Sequence, residues 1–417
     1  MKRGYRVSKK KSVNSLTGLL THYQPSTILI EGILIKMKKI VLCGGGTGGH
    51  IFPSIAVAEE LKKENCDLFY IGVKGKPEET IAEKNGIEFY GYDFSGFPRK
   101  IQKELFVWPF KLLGAVSKAK VYLKHFNPDI VFGTGGYSAA PVFIAAKRLG
   151  IPYIVHNLDV RLGLANKFCA NGASMLTLGF NTNTEFTQKT KWIVTGNPVR
   201  KSFIEIQNKD KTQIYKEFNF SPDKKTIFVA GGSQGATAVN EAVLDIMKDL
   251  VLSNDIQILH QTGDITHEEF AKRLPAKVLE TTNVIAKPFF ENPESCYQIA
   301  DLVISRSGAM TTTEITVMGK PAIFIPYPYA ENHQEANIKH LIEAGGALLF
   351  RQKGIRTKML LNTILELLNN QQKLNEMSRI TKSFAKPDAA KEIARLILST
   401  INGNPVNEQS KNLTSVI

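Results

Sequence analysis

No stretch of this 417-residue sequence approaches the roughly 18 consecutive apolar residues that a membrane-spanning helix needs, so no spanning helix is expected. Cysteine is scarce. Cys43, Cys66, Cys169 and Cys296 form no Cys-x-x-Cys pair and cluster with no histidines at metal-ligand spacing. That pattern argues against a disulfide framework and a zinc site, and free thiols in a reducing cytoplasm are the expectation. There is no Asp-x-Asp, no His-Glu-x-x-His and no P-loop lysine motif, so the sequence requires no divalent metal and no cofactor. A secretory signal is not expected either. The chain opens with a basic run, but the apolar stretch 27–35 is short, contains Glu31 and has no small-residue cleavage site behind it.

What is plentiful is positive charge: 53 Lys and Arg against 38 Asp and Glu, a formal net charge of +15. Nucleic acid, anionic lipid and phosphorylated substrates all attract such a chain. Nucleic acid is not the expected partner, because aromatics are not interleaved with the cations as in recognised binding modules. The stretch 99–124 sets Trp108, Phe110, Leu112 and Leu113 among Arg99, Lys100, Lys103, Lys111, Lys118, Lys120 and Lys124. It reads either as a surface that dips into anionic headgroups or as a core helix with a solvated basic face.

The length suggests two domains. Short apolar runs at 39–43, 67–72, 129–133, 152–156, 174–178 and 191–195 read as strands, and the series restarts at 226–230, 256–260, 282–286, 302–305, 321–325 and 347–350. Amphipathic stretches such as 54–64, 138–149, 239–251, 332–344 and 357–369 lie between them. The alternation predicts an α/β chain with parallel sheets covered by helices on both faces. A turn-rich segment, Thr195 to Arg200, precedes the restart. The expected organisation is a first domain over 37–198 and a second over 199–386. A last helix, 387–401, opens at Pro387-Asp388 and is positioned to cross back. The basic extension 1–36 is expected either to be disordered or to precede a natural start at Met37, and the polar tail 402–417 to be disordered.

Ligands of open parallel sheets bind beyond the carboxyl ends of the strands, so the residues that follow each strand carry the information. Strand 39–43 is followed by Gly44-Gly45-Gly46-Thr47-Gly48-Gly49-His50, whose backbone N–H groups are suited to cradle a phosphate. A dinucleotide-binding reading is disfavoured, since strand 67–72 ends in Tyr70-Ile71-Gly72 without the ribose-binding acid. His50 is either a helix-terminus histidine or a base for an attacking hydroxyl. A second cradle, Gly133 to Ser138 with Gly135, Gly136 and Tyr137, follows strand 129–133, and His156-Asn157-Leu158-Asp159 follows 152–156. In the second half, Gly231-Gly232-Ser233-Gln234-Gly235 follows strand 226–230. Ala309, Met310, Thr311, Thr312 and Thr313 precede Glu314 after strand 302–305. The small residues fit a diphosphate at a helix N-terminus. Glu314 fits either a ribose or the helix dipole. Gln334 and Asn337 share a helix face and suit sugar hydroxyls or solvent. Arg200 is either a phosphate ligand or a surface residue at the hinge.

The glycine run through His50, then GTGGYSAAP, GNPVR, GGSQGA, HQTG, SRSGAMTTTE and HQEAN, taken in this order over about 37–400, resemble the MurG family. These are bacterial N-acetylglucosaminyltransferases that act on undecaprenyl-pyrophosphoryl-muramoyl-pentapeptide. The resemblance implies a GT-B fold and inverting transfer from UDP-N-acetylglucosamine to the muramoyl C4 hydroxyl of lipid I, giving lipid II. It implies donor phosphates at Arg200, Ser233 and Ala309–Thr311, uracil at the Phe290 backbone and ribose at Glu314. Gln334 and Asn337 would meet the donor sugar, with Thr47, Gly48, Gly49 and Asp159 closing from the first domain. Gly45, Gly46, Gly135, Gly136 and Tyr137 would face the acceptor pyrophosphate. A peripheral place on the cytoplasmic face of the bacterial membrane follows, with 99–124 against it. One departure stands out: the family's His-Glu-Gln-Asn is here His156-Asn157-Leu158-Asp159, which leaves the base open between His50 and Asp159. Two other readings remain: another UDP-sugar enzyme of this fold, such as a 2-epimerase, and an inactive UDP-sugar-binding homologue.

Overall fold

The computed structural model describes residues 27–30, 33–98, 103–182, 190–232, 234–252, 256–328 and 333–403. β1 (Thr27–Ile30) and β2 (Ile33–Lys36) pair as an antiparallel hairpin, so part of the extension expected to be disordered is regular. The rest of 1–36, and the tail from 404 onward, lie outside the described residues.

Two parallel sheets follow. The first contains β3 (Lys39–Cys43), β4 (Asp67–Val73), β5 (Glu88–Tyr92), β6 (Ile130–Gly133), β7 (Tyr153–Asn157), β8 (Met175–Leu178) and β9 (Trp192–Val194) in the order β5-β4-β3-β6-β7-β8-β9. The second contains β10 (Lys225–Ala230), β11 (Ile256–Gln261), β12 (Val284–Lys287), β13 (Leu302–Ser305), β14 (Ala322–Phe324) and β15 (Ala347–Leu349) in the order β12-β11-β10-β13-β14-β15. The strands are apolar on both faces because both faces are covered. In β3, Val41 and Cys43 enter one core while Ile40 and Leu42 enter another. In β10, Ile227 and Val229 separate from Phe228 and Ala230 in the same way. β1 and β2 of the extension are absent from the sequence reading, and within these two sheets so is β5. Its EFYGY pattern, with Glu88 exposed and a glycine, belongs to a sheet edge rather than to a buried run.

The halves meet where strands end: Asp159 and Val160, after β7, bond Asn337, and Asn197, after β9, bonds Thr313 in the helix that follows β13. The chain then returns: helix Ala389–Ile401 packs on helix Gly48–Lys63, with Ile393, Leu396 and Ile397 buried among Ile51, Ile55 and Tyr70 of the first half. This return ties the halves together at the hinge, where a Cβ on Gly196 would lie 2.4 Å from the Cβ of Lys386. Ile393→Ala is expected to destabilise the first half by about 2–5 kcal/mol, the range for a fully buried aliphatic truncation. Lys391→Ala, on the exposed side of the same helix, should stay within about 0.5 kcal/mol. Denaturant unfolding of both variants measures the contrast; equal effects would mean that the helix is not seated in that core.

Candidate functional site

The first half brings its two glycine loops into one interlocked edge. Gly136 has φ +79°, and a Cβ there would sit 2.8 Å from the Gly45 carbonyl oxygen, so only glycine permits the approach. Tyr137 packs against Gly46. The amide of Gly46 is already engaged: it donates to the carboxylate of Glu78 at 3.2 Å, whose other oxygen accepts from Val73 N at 3.3 Å, and Glu78 is fully buried. The helix opens at Gly48, six residues earlier than its amphipathic pattern announces. Gly48 and Gly49 therefore lie in its first turn, where the His50 amide donates to the Thr47 carbonyl at 3.0 Å, the Gly48 and Gly49 amides precede any intrahelical acceptor, and Thr47 makes no side-chain cap. His50 is fixed in that turn. Its Nδ1 lies 2.9 Å from the Thr134 carbonyl oxygen, which only accepts, so Nδ1 carries the proton and the neutral ring keeps Nε2 as an acceptor. Nearby, Ser138 Oγ and Asn166 Oδ1 are buried and without a hydrogen-bond partner among the described residues.

The segment after β7 crosses to the other half. His156 is buried and bonded at both ring nitrogens, to Thr177 Oγ1 at 2.9 Å and Asn197 Oδ1 at 3.0 Å. Burial pushes its pKa down to about 4, so it is a neutral structural group. Asn157 donates to the carbonyls of Asp159 at 2.6 Å and Arg161 at 3.4 Å, and accepts from Asn166 at 3.0 Å. A carboxylate could accept but not donate there, so in this loop the amide acts as a staple. Asp159 Oδ1 accepts from Asn337 Nδ2 at 2.8 Å, while Asn337 Oδ1 accepts from Val160 N at 3.0 Å. Asn197 Nδ2 reaches Thr313 Oγ1 at 3.0 Å. Three hydrogen bonds thus close the groove beside its centre.

In the second half, helix Ala309–Met318 begins after Gly308 with no side-chain cap. The hydroxyls of Ser305, Ser307 and Thr312 are buried and without partners among the described residues. Glu314 accepts from Tyr297 Oη at 3.3 Å, and its pKa is raised to about 7 by burial, against the opposing Arg200 charge and Tyr297 hydrogen bond. Arg200 pairs with Glu294 at 3.4 Å and lies 4.8 Å over the ring of Phe52, from the first half. Phe290 N donates to Gln261 Oε1 at 3.3 Å. Gln334 accepts from Tyr327 N at 2.9 Å, so it is turned to its own loop while Asn337 spans the groove. Ser233 lies outside the described residues. Glu78, Glu294 and Tyr297 were not singled out from sequence. Glu78 and Glu294 each follow a proline in a polar stretch that reads as a helix start, and nothing local marks their burial. Among the described residues no His, Cys, Asp and Glu group is arranged to hold a metal ion.

Two family models match the chain: the glycosyltransferase family 28 N-terminal domain over residues 40–175 and its C-terminal domain over 226–393. A relative from Bacillus pumilus, named UDP-N-acetylglucosamine–N-acetylmuramyl-(pentapeptide) pyrophosphoryl-undecaprenol N-acetylglucosamine transferase, is 37% identical and aligns over 86% of this chain and 98% of its own length. The chain belongs to glycosyltransferase family 28. A relative of the same name from Halothermothrix orenii is 36% identical over 88% of this chain and 100% of its own. The crystal structure of Acinetobacter baumannii MurG superposes with a TM-score of 0.66 at 31% identity, covering 87% of this chain and 99% of that one. The fold of this family 28 chain is therefore GT-B. A UDP-GlcNAc 2-epimerase from Neisseria meningitidis superposes with a TM-score of 0.64 at 17% identity and shares the fold alone.

Glu314 gives this family 28 site a stability signature. Its pKa rises from 4.5 to about 7 on folding, so its stabilising contribution is full below about pH 4.5 and is lost as pH climbs through about 7. Glu314→Gln removes that loss. The variant should be more stable than the parent by about 1–3 kcal/mol at pH 8 and show no such gain at pH 4.5. Thermal unfolding at the two pH values checks this, and a gap independent of pH would contradict the buried-carboxylate assignment.

Proposed function

We propose that this chain transfers N-acetylglucosamine from UDP-N-acetylglucosamine to the muramoyl C4 hydroxyl of lipid I, with inversion at the anomeric carbon, giving lipid II for peptidoglycan synthesis. The observation that carries the reading is the pairing of two uncapped helix starts across one groove: Gly48-Gly49-His50 in the first half and Ala309–Thr311 in the second. Curated transferases of that specificity at 36–37% identity over most of the chain support it.

In this reading the donor lies mainly on the second half. Its diphosphate sits on the amides of Ala309, Met310 and Thr311 with the Thr312 and Thr313 hydroxyls close by, its ribose on Glu314 and its uracil on the Phe290 backbone. Arg200 and Ser233 supply further phosphate contacts. The sugar meets Gln334 and Asn337 and takes over the amide that Asn337 otherwise gives to Asp159. Thr47, Gly48 and Gly49 close on it from the first half. The acceptor pyrophosphate rests on Gly45, Gly135, Gly136 and Tyr137, and not on the Gly46 amide, which Glu78 holds. The acceptor C4 oxygen attacks the anomeric carbon from the face opposite UDP. The carbon–oxygen bond to UDP breaks, and its electron pair leaves with the diphosphate, which the helix dipole and Arg200 stabilise. The hydroxyl proton passes to Nε2 of His50, with Asp159 the second candidate base.

The lipid end of the acceptor requires a membrane, and helix Lys103–Phe126 supports peripheral binding at its cytoplasmic face. Phe106, Phe110 and Leu113 are 75%, 73% and 53% exposed, with Lys111, Lys118 and Lys124 exposed on the same helix. Trp108 and Leu112, counted with this surface from sequence, pack against the core instead. Arg99 and Lys100 lie outside the described residues. No helix among the described residues is long and apolar enough to cross a membrane.

Radiolabelled UDP-N-acetylglucosamine with a short-chain lipid I analogue should yield a lipid-bound disaccharide; a free epimerised sugar, or no product, would reject the reading. His50→Ala should lower kcat by about 10²–10⁴ while changing UDP affinity little. Asp159→Asn is measured beside it, and near-parental kcat in both would leave the reaction without a base from this site. Phe106→Ser/Phe110→Ser should weaken binding to anionic vesicles and spare turnover of a detergent-soluble acceptor. Unchanged vesicle binding would remove this helix from the membrane surface.

A further inference from the structure

The segment after β7 and helix His333–Glu343 meet through Asp159, Val160 and Asn337. Beside the ends of β8 and β9 lies a cavity of ≈ 1280 Å³, lined on that helix by His333, Ala336, Lys339, His340 and Glu343 but not by Asn337, and on helix Ala309–Met318 by Thr313 and Thr316. Among the described residues that line it, four cations, Arg161, Lys167, Lys339 and Lys386, face one carboxylate, Glu343. Leu164 and Phe180 add apolar surface, and Leu164 is 88% exposed. Of the residues assigned to the donor and the pyrophosphate, Thr313 alone borders this space.

The order of strands gives the cavity an occupant. Along the sheet edge the loops run β3, β6, β7, β8, β9, where β3 and β6 carry the glycine loops and β7 carries Asp159. A muramoyl ring whose C1 pyrophosphate rests on the glycine loops and whose C4 hydroxyl lies at the β7 segment points its far end towards β8. The acyl peptide of that sugar hangs from C3, next to C4. A peptide so placed enters the cationic cavity, and it ends in at least one free carboxylate. We propose that this cavity binds the acceptor's peptide, with Lys167 and Lys386 pairing with its carboxylates and Leu164 and Phe180 covering its aliphatic side chains. The inference rests on the acceptor reading above and adds to it the part of the substrate that this surface selects.

The test compares three short-chain acceptors: the full peptide, the same peptide with its carboxylates amidated, and one ending at the lactyl group. With the unaltered protein, KM should rise about tenfold on amidation, with KM for UDP-N-acetylglucosamine unchanged. Lys167→Glu/Lys386→Glu should raise KM about tenfold for the full peptide and leave that for the peptide-free acceptor within about twofold. Turnover of the peptide-free acceptor also reports that the variant is folded. Equal KM values for native and amidated peptide, or an equal change for all three acceptors in the variant, would overturn the peptide site while leaving the transferase reading intact. Failure of the unaltered protein to glycosylate any of the three would instead overturn the transferase reading, and this inference with it.

Discussion

The first amides of an α-helix cannot be satisfied from within it, and this chain leaves such amides uncapped at the groove in both of its halves. Much of the groove's composition follows from that constraint. Small residues leave the amides accessible, as at Gly48, Gly49, Gly308 and Ala309. Cα-level contact between neighbouring loops then becomes necessary to hold them without side chains. Gly263, at φ +86°, shows the same solution in the second half as Gly136 in the first: a Cβ there would lie 2.0 Å from the Gly235 backbone. The positive ends of two helices thus face one groove, with His50 as the group in the first turn that can accept a proton.

Closure is a second layer on the same frame. Asn337 bonds Asp159 and Val160, Asn197 bonds Thr313, and Arg200 lies over Phe52, so each contact joins residues on either side of the hinge. These are polar contacts worth little individually, and an arriving sugar can replace them without breaking a core. The firm connection lies elsewhere, in the apolar seat of helix Ala389–Ile401 on the first half.

Most of the sheet pattern is legible in the sequence because a parallel strand covered on both faces must be apolar throughout. KIVLC, KTIFVA and LVIS declare themselves in this way, whereas the edge strand EFYGY does not. The loops were legible because glycine runs at strand ends have few other uses. What could not be read is long-range pairing. Nothing local says that Glu78 lies beneath the Gly46 amide, that Tyr297 donates to Glu314, or that Asn337 reaches Asp159 rather than sharing Gln334's surroundings. The substitution at Asn157 looked like the loss of an acid; in the structure it is a staple whose donor bonds a glutamate cannot make.

Amide hydrogen exchange with UDP alone tests most directly whether the two helix starts have separate occupants. The account predicts protection around 308–314 and 290 and little change at 44–50 and 133–138. Protection of the first-half loops without the second would contradict it, because the nucleotide would then occupy the edge assigned to the acceptor.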